Sequence, residues 1–259
     1  MKALNTRFSI LFMALSTMAV AGYLYLNHET YKTLNGEIFS THYQVTYQAN
    51  HSLKLNPQDI QSAIEKELNR IDQIASSWKE DSEINRYFIS QDKEHFPISD
   101  DLNYLLERSA EIKELTSGAF DIEHQVGKLD LSGIAKGYAV DRIANYLTDE
   151  LGIESYLIDI GGEMRARGIN PKGNTWNVGI FIPHNKNVIE PPKVTLNNTS
   201  IATTGEYFKG RHITDPKTDQ AVSNSLISVS VIHPSTTTAD ALATALYVMG
   251  SEKGMAWAE

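Results

Sequence analysis

The chain has 259 residues, 41% of them hydrophobic, which is enough for one large domain or two small ones built around an apolar core. Its formal charge of −9 argues against nucleic acid as a partner, because tracking a phosphate backbone needs surplus Lys and Arg. The complete lack of cysteine removes disulfides, thiolate metal centres, cysteine nucleophiles and a lipid-modified N-terminal cysteine.

Lys2 and Arg7 precede a mostly apolar run from Phe8 to Leu26. Ala19-Val20-Ala21 fits the small-x-small pattern before a cleavage site. The run is also long enough to span a bilayer, and its continuation through Tyr23, Leu24, Tyr25 and Leu26 favours an anchor. Residues 1–28 therefore read as a signal peptide or membrane anchor, and residues 29–259 as one exported domain.

Residues 36–48 alternate through Tyr43, Val45 and Tyr47 and predict the first strand of a sheet. Asn56-Pro57 is a helix start, and Ile60, Ile64, Leu68, Ile71, Ile74 and Ala75 mark one face of a helix ending before Trp78. Residues 76–88 predict a loop with a short helical turn. Trp78 at this helix exit suits a core plug, or else a flat surface for a planar ligand. Ser99 caps a further helix whose apolar face is Leu102, Leu105, Leu106, Ala110, Ile112 and Leu115, ended by Ser117-Gly118.

Leu129 to Asp141, LDLSGIAKGYAVD, packs an acid, a small-residue turn, a lysine and a second glycine into thirteen positions. A short apolar run ends at Leu131, and helical spacing runs from Ile134 through Tyr138, Val140, Ile143, Ala144 and Leu147 to about Gly152. The Ser132–Gly133 turn thus reads as a strand-to-helix junction. Amides at a helix start favour an anion, glycine admits close approach, and Lys136 adds a point charge for phosphate. The same residues also suit a plain tight turn with a surface lysine. Neither a P-loop nor a dinucleotide-binding glycine fingerprint is present.

Strands are predicted over 156–160, 164–167, 176–182, 200–208 and 225–233, with a Gly161-Gly162 turn, a loop or sheet edge over 183–198, and turn chemistry in 211–222. His212 precedes that turn, and a lone histidine there is ordinarily a surface or core residue. Thr236 or Thr237 caps a final helix. In it Asp240 and Thr244 share a face, suited to a buried hydrogen bond with each other or to two hard oxygen ligands for Mg²⁺. Strands, helices and late hairpins together predict an α+β fold, with mixed α/β layers around antiparallel-rich sheets.

Six stretches in order carry a resemblance. They are the Trp78 loop with Asp81-Ser82-Glu83, Gly118-Ala119-Phe120-Asp121, Leu129–Asp141, Ile160-Gly161-Gly162, His212-Ile213-Thr214-Asp215-Pro216, and Ala239 to Leu246. From about Phe39 to the last residue the chain resembles the ApbE-like flavin transferases, in a shortened form with a T-fold-like architecture. The resemblance implies FAD as substrate, Mg²⁺ as cofactor, and transfer of FMN to a threonine or serine hydroxyl of a target flavoprotein, with AMP leaving. It implies a flavin-carrying subunit of a membrane redox complex as partner, and a place on the periplasmic side of the bacterial inner membrane. Asp240, Thr244 and the carbonyl of Gly133 match the family's metal ligands. Phe39, Trp78, Ala119, Phe120, Asp121, Asp130, Lys136 and Thr214 fall on its FAD-contacting positions, and His212 matches the proposed base. Trp78 and Phe120 would offer aromatic surface to a ring.

Three departures stand out. Only Ile122 to Leu129 separate the AFD run from the LDLSG turn, where relatives carry several dozen residues. The sequence stops at Glu259, where relatives continue, and Thr214 stands where an apolar residue is usual. The short segment is expected to leave the flavin pocket open on one side. Two other outcomes fit the same residues: an FAD pyrophosphatase passing FMN to water, and a flavin-binding or docking module without chemistry.

Overall fold

The computed structural model describes residues 30–49, 55–123, 128–182, 191–206 and 213–259. The proposed signal or anchor and His212 lie outside them. No helix among the described residues is long and apolar enough to cross a membrane.

The chain opens with a hairpin, β1 (Thr30–Ile38) and β2 (Thr41–Ala49), rather than one strand over 36–48. Ile38 pairs with Thr41 across a two-residue turn, Phe39–Ser40, with φ of 50° and 58°. Two positive φ values match the twist of the flanking strands, but non-glycine residues hold them under strain. The hairpin was not legible because Phe-Ser lacks the usual turn residues.

The helix α1 (Pro57–Ala75) carries the capping box of Asn56 and Asp59, and the six apolar residues read from its spacing are all buried. After it come the short helix α2 (Glu83–Ile89) and α3 (Asp100–Leu115), capped by Ser82 and Ser99. In α3, Leu115 is 56% exposed and Ala110 also faces outward, while Ser109 is buried, so the apolar face is narrower than expected. Trp78 is 83% exposed, with the Lys128 ammonium 4.6 Å from its ring centre, which overturns the core-plug reading.

Helix α4 (Ala135–Asn145) continues into a π-helical turn, Tyr146–Glu150, and ends at Gly152 in the left-handed region. Among the described residues no strand leads directly into α4: Leu129 and Leu131 are buried, but their backbone is irregular. The remaining strands are β3 (Tyr156–Ile160), β4 (Glu163–Arg167), β5 (Trp176–Gly179), β6 (Lys193–Leu196), β7 (Thr199–Gly205), β8 (Thr214–Asp215), β9 (Gln220–Ala221) and β10 (Ser228–His233). The last helix, α5 (Thr236–Ala258), is broken at Gly250.

Six strands form one sheet in the order β1-β2-β3-β4-β7-β10, every pair antiparallel. Strand parity divides its faces. Tyr156, Ile158 and Ile160 of β3 point into the main core with α1, α3, α4 and α5. Leu157 joins a second cluster with Trp176, Val178 and Leu196 from the β5–β6 hairpin. The expected α+β layering around antiparallel sheets is what the chain forms.

Candidate functional site

The α4 and α5 helices meet at Gly137. A Cβ there would lie 2.4 Å from the Thr236 carbonyl oxygen and 2.8 Å from Asp240 Cβ. Only a glycine allows this approach, and it lets each helix cap the other. Asp240 of α5 accepts a hydrogen bond from Gly137 N (2.9 Å), one of the first-turn donors of α4. In return Asp141 of α4 accepts from Thr236 N, Thr237 N, the Thr237 hydroxyl and the Ser235 hydroxyl at the start of α5. Ser235, not Thr236 or Thr237, is the local cap, because its hydroxyl accepts from Thr238 N. Gly137→Ala should force the helices apart and destabilise the fold by about 1–3 kcal/mol. Thermal unfolding reads this directly, and an unchanged melting temperature would contradict the contact.

Asp240 at this junction, and Lys136 beside it, line a cavity of about 510 Å³, within the size range of cofactor sites. The walls come from distant parts of the chain: the strained Phe39–Ser40 turn, Ala119–Asp121, Asp130–Gly133, the Gly161–Gly162 turn, Thr203–Gly205 and Thr214. Asp130 N donates to Ile122 O (2.8 Å), which draws the two acidic stretches together across the short segment. The Asp130 carboxylate accepts from Ser132 N (2.9 Å) and shapes the turn into α4. Asp121 is paired with Lys113 of α3 at 2.7 Å.

Asp240, Thr244 and Gly133 all line this cavity. A Cβ on Gly133 would lie 3.1 Å from Thr244 Oγ1, so the backbone of the turn rests against that hydroxyl. Asp240 and Thr244 are not hydrogen-bonded to each other among the described residues. Asp240 bonds Gly137 N, and the Thr244 hydroxyl bonds that of Thr204 (3.2 Å). A carboxylate, a hydroxyl and a backbone carbonyl make a hard-oxygen set suited to Mg²⁺, which usually keeps water and phosphate as its other ligands. Among the described residues no cluster of three His, Asp or Glu side chains could hold a metal instead.

Charge supports the same fit. Lys136 Nζ lies 2.6 Å from Glu163 Oε2, and Glu163 is 1% exposed. Beyond that ion pair neither Glu163 oxygen has a partner among the described residues. Burial pushes the carboxyls of Glu163, Asp240 and Asp159 upward, while the Lys136 ammonium pulls each of them back toward the charged form. Burial opposes the Lys136 ammonium, but Glu163 and then Asp240 outweigh it and hold its pKa above the ordinary value. When ionised, three carboxylates, Glu163, Asp240 and Asp159, act on one ammonium, and a divalent cation would offset the surplus negative charge.

Of the residues the resemblance implied, Phe39, Ala119, Phe120, Asp121, Asp130, Gly133, Lys136, Thr214, Asp240 and Thr244 line the cavity. Trp78 does not, although Ser77 beside it donates to Asp130 (3.4 Å). Phe120 is buried with its ring edge against Gly133, so it is not an open ring face. Lys136 is tied to a carboxylate and is not a free phosphate-binding charge. Sequence reasoning missed Glu163, Asp141, Thr204 and the Phe39–Ser40 turn. The only available signal for Glu163 was its place after Gly161-Gly162.

Comparison with known proteins gives a consistent picture. The model of the ApbE family matches residues 39–127 and 123–259. The two matches meet at the short segment between Asp121 and Asp130. A protein of Vibrio cholerae named FAD:protein FMN transferase is 30% identical over 286 residues, covering 87% of this chain and 84% of its own. That span exceeds the 259 residues here, so the relative carries insertions. A Haemophilus influenzae protein of the same name is 28% identical, covering 88% of this chain and 83% of its own. Among solved structures, the flavin transferase ApbE of Vibrio cholerae superposes with a TM-score of 0.80 at 28% identity, covering 89% of this chain and 91% of that one. The apo flavinyl transferase ApbE of Pseudomonas stutzeri gives 0.80 at 26%, covering 89% and 88%.

Proposed function

Because the chain belongs to the ApbE family, we propose that it is an FAD:protein FMN transferase that needs Mg²⁺ and acts on a threonine or serine hydroxyl of a target flavoprotein. The observation that carries this reading is the meeting of Asp240, Thr244 and Gly133 on one cavity.

In this reading the hydroxyl oxygen of the target attacks the phosphorus of the FMN half of FAD. The bond to the bridging oxygen breaks, and AMP leaves with that oxygen. Such a transfer needs charge neutralisation and alignment more than covalent help. Bound Mg²⁺ would supply the neutralisation, held by Asp240, Thr244 and the Gly133 carbonyl. Lys136 adds positive charge at the cavity wall, and the hairpin turn with Phe39 closes one side over the substrate. His212 would take the proton of the attacking hydroxyl.

The N-terminal run supports export, with the domain on the periplasmic side of the bacterial inner membrane, secreted or anchored by residues 1–28. A flavin-carrying subunit of a membrane redox complex then fits as the target.

The full chain, incubated with FAD, MgCl₂ and a target flavoprotein domain, should give a covalent band fluorescent in a denaturing gel. EDTA should remove that band. AMP and free FMN without a labelled band would establish a pyrophosphatase instead. Quenching of FAD fluorescence with neither product would establish a binding module.

A further inference from the structure

Glu163 begins β4, directly after the Gly161–Gly162 turn that lines the cavity. It is almost wholly buried, and among the described residues its carboxylate reaches one cation, Lys136, at 2.6 Å. The Lys136 stem comes from the first turn of α4, one residue before the amide that binds Asp240. Buried Glu163 and Asp240 therefore compete for one ammonium, with Asp159 a weaker third. Lys136 makes its ion pair with Glu163 and none with Asp240 among the described residues. A lysine carries a flexible four-carbon stem and follows whichever anion is stronger.

The geometry points to Glu163 as a positioning residue that holds Lys136 at the cavity wall and off Asp240, leaving that carboxylate open to the metal. The assignment rests on the metal-binding reading above. Its physical basis is that a hydrogen bond between two charged partners is stronger than one to a neutral amide. Without the Glu163 charge, the anion bound to the very next amide, Asp240, is left on the same cavity as the ammonium, and an ammonium seated there displaces a cation. Lys136 would then also leave the wall where it faces substrate.

The test uses Mn²⁺ as the probe, with the metal alone added to the full chain and free Mn²⁺ read by its EPR signal. FAD affinity is read separately by fluorescence quenching. Glu163→Gln should weaken Mn²⁺ binding by about tenfold, the size of one charged hydrogen bond, and weaken FAD as well. Adding Lys136→Met to that variant removes the competing ammonium. Mn²⁺ affinity should then return to about the wild-type level, while FAD affinity stays low. Glu163→Asp keeps the charge but withdraws it by one carbon, and should give a smaller loss of the same sign. It serves as the test should Glu163→Gln fail to fold.

A purely structural role predicts lower melting temperatures with unchanged Mn²⁺ affinity, and that result overturns the assignment. So does a double variant that binds Mn²⁺ as poorly as Glu163→Gln. Wild-type protein that takes up no Mn²⁺ would sink the metal site, and this assignment with it. Normal uptake by wild type and by both Glu163 variants would sink only the role of Glu163.

Discussion

Asp240→Asn should cut flavin transfer severely while leaving the fold intact. The amide oxygen of the variant can still accept the hydrogen bond that Gly137 N gives to Asp240, so the start of α4 stays capped. The group that vanishes is a buried carboxylate whose pKa burial has already raised, so losing its charge relieves desolvation. The melting temperature should hold or rise. Activity should fall on the order of 10²–10³-fold, the size seen when one preorganised electrostatic contact to a transition state is removed. Raising Mg²⁺ should recover part of the rate if the loss is in metal affinity. Transfer at the wild-type rate with normal Mg²⁺ dependence would show that Asp240 holds no metal. The pairing of lost activity with kept stability separates this outcome from simple unfolding.

Asp141→Ala should have the opposite profile, with stability as the first casualty. Asp141 collects two backbone amides and two hydroxyls at the start of α5, and Arg165 Nη1 at 2.6 Å. Burial pushes its carboxyl upward, but the Thr237 amide and hydroxyl, Arg165 and the Thr236 amide outweigh burial and hold it below the usual carboxylate range. Removing it strands those donors and leaves Arg165 without its carboxylate partner, at a loss of about 3–5 kcal/mol. That is a large share of the stability of an ordinary domain. Asp240 and Thr244 ride on the helix it caps, so activity should fall with the melting temperature.

The pH dependence has a definite sign. A carboxyl lowered on folding contributes stability above its unfolded pKa and loses it as pH falls through the folded value. Wild-type protein should therefore lose stability on the acid side, below about pH 4, where an unperturbed Asp titrates. Asp141→Ala should lack that part of the acid loss. Chemical denaturation at neutral and acid pH reads the difference, and parallel curves for the two proteins would contradict it.

Much of the site was visible before any coordinates. Asp240 and Thr244 sit four apart on a helix, so their shared face follows from helical geometry alone. Asp130, Ser132 and Gly133 sit within one turn. What spacing could not show was that these two local patterns touch. The contact is made at Gly137, whose missing side chain admits the Thr236 carbonyl, and nothing in a one-dimensional pattern distinguishes that glycine from a helix-weakening one. Trp78 shows the reverse error. Apolar character suggested burial, but the short loop after α1 points the indole at solvent.

By itself, the sequence determined the helix faces, the acidic balance and the lack of thiols, because these are properties of composition and local periodicity. The resemblance carried by six ordered stretches added the family. Only the tertiary structure decided which anion holds Lys136, which acid caps α5, and where the first hairpin turns. Those outcomes depend on side chains far apart in sequence meeting where water is scarce. There the nearest partner of each charge is set by packing rather than by its neighbours along the chain.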